Sequence, residues 1–85
     1  MKTIDVRRGK PRRGAFAVFQ CGPQVLRLQI VGVECGLLGE VVRVDNFLHV
    51  IPSADCLEVA LGYVQGLYPG YGGVFTAYYL ESCKR

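Results

Sequence analysis

Five cations fall within seven residues near the start of the chain: Arg7, Arg8, Lys10, Arg12 and Arg13. Guanidinium and ammonium groups at this density can neutralise phosphates and release condensed counterions. They can equally complement an acidic protein surface, or serve only as a solvated loop. Residues 1–14 carry a net charge of +5 and the remainder −2, which leaves the chain at +3. Positive charge is therefore concentrated in one segment, and residues 1–14 are read as a basic arm ahead of a single domain spanning 15–85. Any direct contact with nucleic acid is expected through this arm.

Within it, Arg8-Gly9-Lys10-Pro11-Arg12 resembles an AT-hook, a short minor-groove motif built on a Gly-Arg-Pro centre with flanking cations. Such a motif implies a glycine backbone seated deep in the groove and cations that follow the phosphates. Lys10 stands where the motif has arginine.

Other residue types with chemical reach are scattered. Cys21, Cys35, Cys56 and Cys83 form no C-x-x-C pair. That pair matters because it aims two thiolates at one metal from a single turn. Four reduced thiols packed as small apolar groups are expected, with a disulfide as the competing arrangement and no metal or cofactor. His49, the single histidine, alternates with Phe47 and Ile51 in what reads as a strand, so a partly buried, hydrogen-bonded imidazole is expected rather than a general base. No Ser-x-x-Lys, G-x-S-x-G or phosphate-binding glycine loop occurs. The expectation is a binding protein, not an enzyme.

Two further features suit contact with a partner. Gly62 and Gly66 lie one helical turn apart, with Tyr63 at their margin. Glycine costs a helix about 1 kcal/mol relative to alanine, and two on one exposed face leave a smooth surface that another backbone can approach. In Tyr68-Pro69-Gly70-Tyr71-Gly72-Gly73, tyrosines on a glycine-rich corner offer large amphipathic rings at low entropic cost. Tyr71 is the contact residue expected there, although the corner also suits packing of Tyr68 on the helix core and Tyr71 on a sheet edge.

The elements that must hold these residues follow from periodicity. Eighty-five residues, 51% hydrophobic, make one domain near the lower size limit for independent folding. No apolar run reaches the ~18 residues needed to cross a bilayer, and no signal-peptide core is present, so a cytoplasmic protein is expected. Thr3 to Arg8 suits a short strand and Ala15 to Gln20 another, turning at Cys21-Gly22-Pro23-Gln24. Leu26, Leu28 and Ile30 alternate with Arg27 and Gln29 along a strand from Val25 to Val33. Glu40 to Val44 and Phe47 to Ile51 read as two more strands joined at Asp45-Asn46. Leu57, Ala60, Leu61, Val64, Leu67 and Tyr68 recur with helical spacing. Asp55 and Glu58 fit a capping box before them, and Pro69-Gly70 fits a helix stop. Val74 to Leu80 closes the fold as an uncharged strand, delivered parallel to an earlier one by the helical crossover. The predicted fold class is α+β: a four- to five-stranded, mainly antiparallel sheet with one helix on one face, in the order β-β-β-β-α-β. Leu26, Leu28 and Ile30 are expected to pack on Leu57, Leu61 and Val64.

This layout, with Ser53-Ala54-Asp55-Cys56-Leu57-Glu58-Val59-Ala60-Leu61-Gly62-Tyr63-Val64 as the helix leaving a strand, is similar to small phage-encoded anti-CRISPR inhibitors. The resemblance implies a protein that blocks a protein complex handling nucleic acid; a monomer or homodimer without membrane contact is expected. The basic charge departs from the acidic DNA mimics among such inhibitors. Contact is thus expected on a protein surface or beside bound nucleic acid.

Overall fold

The computed structural model describes residues 3–11 and 16–82. The fold is a small α+β unit in the element order β1 (Ile4–Arg8), β2 (Phe16–Cys21), β3 (Gln24–Gly36), α1 (Leu38–Val41), α2 (Phe47–Val50), α3 (Leu57–Leu67) and β4 (Phe75–Ser82). The strands lie side by side as β1-β4-β3-β2, and every pairing is antiparallel. Among the described residues no helix is long and apolar enough to cross a membrane.

β2 and β3 form a hairpin. Cys21 pairs with Gln24, so Gly22 and Pro23 are the two turn residues. Gly22 has φ +61°, as the first position of a primed hairpin turn requires. β3 then continues well past the end of β2 and pairs with β4 instead, from Leu28 to Gly36, with a bulge at Val31. β1 is held on the other side of β4, from Ile4 opposite Tyr79 to Arg8 opposite Phe75. Residues 4–8 thus form the short first strand expected within the basic segment.

Several expectations are corrected. Glu40 to Val44 and Phe47 to Ile51 are not strands, and three helical segments replace the expected one. The reason lies in the core. Leu38, Val41 and Val42, and likewise Phe47, Val50 and Ile51, are spaced by three and four residues. One helical turn points each trio inward, and all six belong to or pack on the core cluster. A strand would send alternate members into water. β4 is antiparallel to both neighbours, not parallel to an earlier strand. β3 ends at Gly36, directly opposite Phe75 where β4 begins, so the three helical segments make an excursion that returns to the same end of the sheet.

The core is also seated differently. Ile4, Val6, Phe75 and Ala77 from the sheet meet Val41, Val42, Val50, Ile51, Ala54, Ala60 and Val64. Leu57 and Leu61 pack at its margin. Leu28 and Ile30 lie opposite Ser82 and Leu80, out of phase with Phe75, Ala77 and Tyr79, and so on the other sheet face. The Leu26 side chain lies outside the described residues. On the helix side β3 offers Gly32, Glu34 and Gly36. A Cβ at Gly32 would lie 3.5 Å from the Tyr79 side chain, and one at Gly36 only 2.8 Å from the Glu40 carboxylate. Those glycines make room for side chains arriving from β4 and α1.

α3 begins one residue later than the capping box required. Its N-cap is Cys56, with no side-chain cap hydrogen bond, so Asp55 lies outside the helix and Glu58 falls short of the third position. Leu67, expected inside, is exposed, while Ala60 and Val64 are buried.

β1 is fastened at its far end by a fully buried hydroxyl. Thr76 Oγ1 donates to the Gly9 carbonyl at 2.6 Å, and the Gly9 N–H donates to the Val74 carbonyl at 2.8 Å. Gly9 has φ +94°, a left-handed conformation that side chains resist. Thr76→Val keeps the shape and orphans the carbonyl. It is expected to cost about 1 kcal/mol, seen as a melting midpoint lowered by about 4–8 °C.

Candidate functional site

Arg7 and Arg8 are adjacent in a strand and therefore point to opposite faces. Arg7, on the side of Thr76 and Tyr78, is bound to Asp5 at 2.7 Å. The hydrogen bond and charge of Asp5 hold the Arg7 guanidinium above its ordinary pKa. Asp5 itself is buried.

Arg8 faces the helix side with Phe75. Its guanidinium carbon lies 5.9 Å from the ring centroids of both Tyr68 and Tyr71. Such contacts at exposed sites contribute about 0.5–1 kcal/mol. The two rings are themselves set edge-on against Phe75, with centroids 5.8 Å and 5.2 Å away. Tyr71 is fixed further by its hydroxyl, which donates to the Val74 carbonyl at 2.6 Å. Gln65 Nε2 donates to the Tyr71 carbonyl at 3.0 Å, tying the corner back to α3. Tyr71 is thus a core-edge residue, half-buried, rather than a free contact ring. Among the described residues no carboxylate pairs with Arg8 or Lys10.

The outcome is a cleft of about 290 Å³ around the end of β1, lined by Arg7, Arg8, Lys10, Tyr68 and Tyr78. Two features far apart in sequence, the basic segment and the tyrosine corner, meet because β1 pairs with the strand that follows the corner. Arg12 and Arg13 lie outside the described residues. Tyr68 belongs to the corner seen in the sequence, whereas Tyr78 was not singled out there, and the β1–β4 pairing places it at this cleft.

The outward face of α3 forms a second surface. Val59, Tyr63 and Leu67 stand on successive turns and are 50%, 57% and 56% exposed. Gly62 and Gly66 lie between them with nothing within 4 Å of where a Cβ would stand. The three predicted residues Gly62, Tyr63 and Gly66 are therefore together and accessible. α3 ends at Leu67, and its C-cap Tyr68 forms part of the first cleft, so the two surfaces adjoin at the end of the helix.

A polar network escaped the sequence reading. Arg43 donates to Asp45 (3.3 Å), to Glu34 (3.2 Å), to the Glu40 carbonyl (2.6 Å) and to the Tyr79 hydroxyl (3.4 Å). Tyr79 donates in turn to Glu34. Tyr79, then Glu34, hold the Arg43 guanidinium above its ordinary pKa despite partial loss of hydration. Buried Asn46 donates to the Val41 carbonyl at 2.9 Å and to Tyr79 at 3.3 Å, and accepts from the Arg43 N–H at 2.7 Å. These bonds brace the turn between α1 and α2. His49 lies beside this network, but on α2, not on a strand, and its side chain is exposed rather than partly buried.

Cys35 and Cys56 are free and exposed, not packed as apolar groups. The side chains of Cys21 and Cys83 lie outside the described residues. Among the described residues no group of three or more His, Cys, Asp or Glu is placed to hold a metal ion. The chain matches no family model, no curated protein and no solved structure.

Proposed function

We propose that this protein is a small, non-catalytic binding protein that docks on and modulates a larger macromolecular complex, with a CRISPR effector as the first candidate partner. The observation that carries this reading is the outward face of α3. A helix whose inner face is filled by Ala60 and Val64 has no internal use for Val59, Tyr63 and Leu67 on its outside. An exposed apolar stripe of this kind is a contact surface in the making. The two bare glycines let a partner backbone come close at a cost of about 1 kcal/mol each to the helix.

The test is binding of the purified protein to a panel of assembled CRISPR effector complexes, read by native mass and by target-DNA cleavage, with and without nuclease. Gly62→Arg leaves the melting midpoint nearly unchanged, because its side chain enters open space. It is expected to raise the off-rate about tenfold or more, as loss of close packing does. Tyr63→Ala should act in the same direction. Failure of every effector to bind or be inhibited, or full inhibition by Gly62→Arg, would remove the reading.

Direct binding of nucleic acid through the basic segment is the second reading. It is favoured by one observation: Arg8 and Lys10 stand beside tyrosine rings in a shared cleft.

A further inference from the structure

We infer that the cleft at the end of β1 takes single-stranded nucleic acid, with phosphates on Arg8 and Lys10 and a base against the tyrosine rings; this rests on the nucleic-acid reading of the basic segment. Three features of the cleft point to that ligand class.

The first is charge that is held in place. Gly9 is tied through both its N–H and its carbonyl to the start of β4, which fixes the backbone between Arg8 and Lys10. Arg7 is already matched by Asp5, whereas among the described residues Arg8 and Lys10 meet no carboxylate. Ring contact leaves the forked N–H groups of Arg8 free to grip phosphate oxygens in pairs.

The second is the chemistry of the wall. Tyr68 and Tyr78 line the same cleft as the cations. A base stacked on an aromatic ring gains roughly five- to a hundredfold in affinity. That gain is open only to bases already out of a duplex stack. A duplex would meet the cations and gain nothing from the rings, and an acidic peptide likewise.

The third is size. A cleft of about 290 Å³ sits at the lower bound of small-molecule pockets, about 300–1,000 Å³. It admits one planar group and its phosphates, not a groove-filling helix.

The experiment measures fluorescence anisotropy with a short labelled oligothymidylate, an oligouridylate, a duplex of equal length and a polyglutamate peptide, across a salt series. The single strands are expected to bind about tenfold or more tighter than the duplex. Two phosphate contacts on a single strand contribute about −1.4 to the log–log salt slope. Replacing Arg8 and Lys10 together by Ser should flatten it by that amount and weaken binding at least about tenfold. Tyr68→Leu keeps an apolar side chain against Phe75. With its melting curve checked, it should weaken the single strands several-fold while leaving the duplex alone. Duplex binding as tight as single-strand binding overturns this inference and leaves the nucleic-acid reading standing. Polyglutamate binding without oligonucleotide binding, or no binding of any probe, removes both.

Discussion

Phe75→Ala is expected to cost about 3–5 kcal/mol, a large share of the 5–15 kcal/mol that holds a small domain together. Phe75 is 1% exposed and is the largest fully buried side chain among the described residues. It begins β4, faces the helices, and makes T-shaped ring contacts with both Tyr68 and Tyr71. Truncation therefore opens a cavity and removes the platform for two partner rings at once. With them goes the setting of Arg8, which lies over both. Thermal unfolding followed by circular dichroism should show a midpoint many degrees lower, and the near-UV tyrosine signal should weaken even below it. Phe75→Leu, which retains most of the volume, should lose less than half as much. A Phe75→Ala midpoint within two or three degrees of wild type, on the ~4–8 °C per kcal/mol scale of a domain this size, would mean that the corner does not pack as described.

Asn46→Ala is the second large effect. The amide is buried, 6% exposed, and satisfies the Val41 carbonyl and the Arg43 N–H from one side chain. Removing it leaves a donor and an acceptor without that partner, at about 1–3 kcal/mol for each buried group. A total near 2–4 kcal/mol follows, since Asn46 lines a second cleft, with Arg43, His49 and Tyr79, where water can replace part of what is lost. Asn46→Asp separates the two roles. The carboxylate still accepts from Arg43 but can no longer donate to Val41 or Tyr79, so denaturant unfolding should place it between wild type and Asn46→Ala. An Asp variant as stable as wild type would show that the donated bonds contribute nothing.

What could be read from the residues, and what could not, divides by range. The hairpin was legible because Gly22-Pro23 is local turn chemistry flanked by alternation. So was α3, whose inward positions recur over three turns. Leu38/Val41/Val42 and Phe47/Val50/Ile51 carry the same spacing, but each for a single turn. Over so few residues a strand and a helix make nearly the same pattern, and valines tilt the reading toward strand. Asn46 compounded the error, since its role as a brace depends on Tyr79, thirty-three residues away. On β3 the alternation of Leu28 and Ile30 with Arg27 and Gln29 pointed the expected core to the wrong side. There the inward face is Gly32, Glu34 and Gly36, and only the bulk arriving from Tyr79 and Glu40 explains it. At the candidate site, the basic residues and the tyrosine corner were each visible. Their meeting was not, because it depends on the pairing of β1 with β4.

That pairing sets the order in which the protein can be completed. Ile4 waits for Tyr79, seventy-five positions later, and the far half of β3 waits for the same strand. As the chain leaves the ribosome, the β2–β3 hairpin and α3 can form early, but β1 has no neighbour until β4 emerges and slots between it and β3. The sheet therefore closes in one late step that joins the most distant parts of the chain. Contacts of such long sequence separation make folding slow relative to helical proteins of equal size. Until that step the valines and phenylalanines of the unfinished sheet stand exposed, so the nascent chain is most prone to aggregate just before β4 is made.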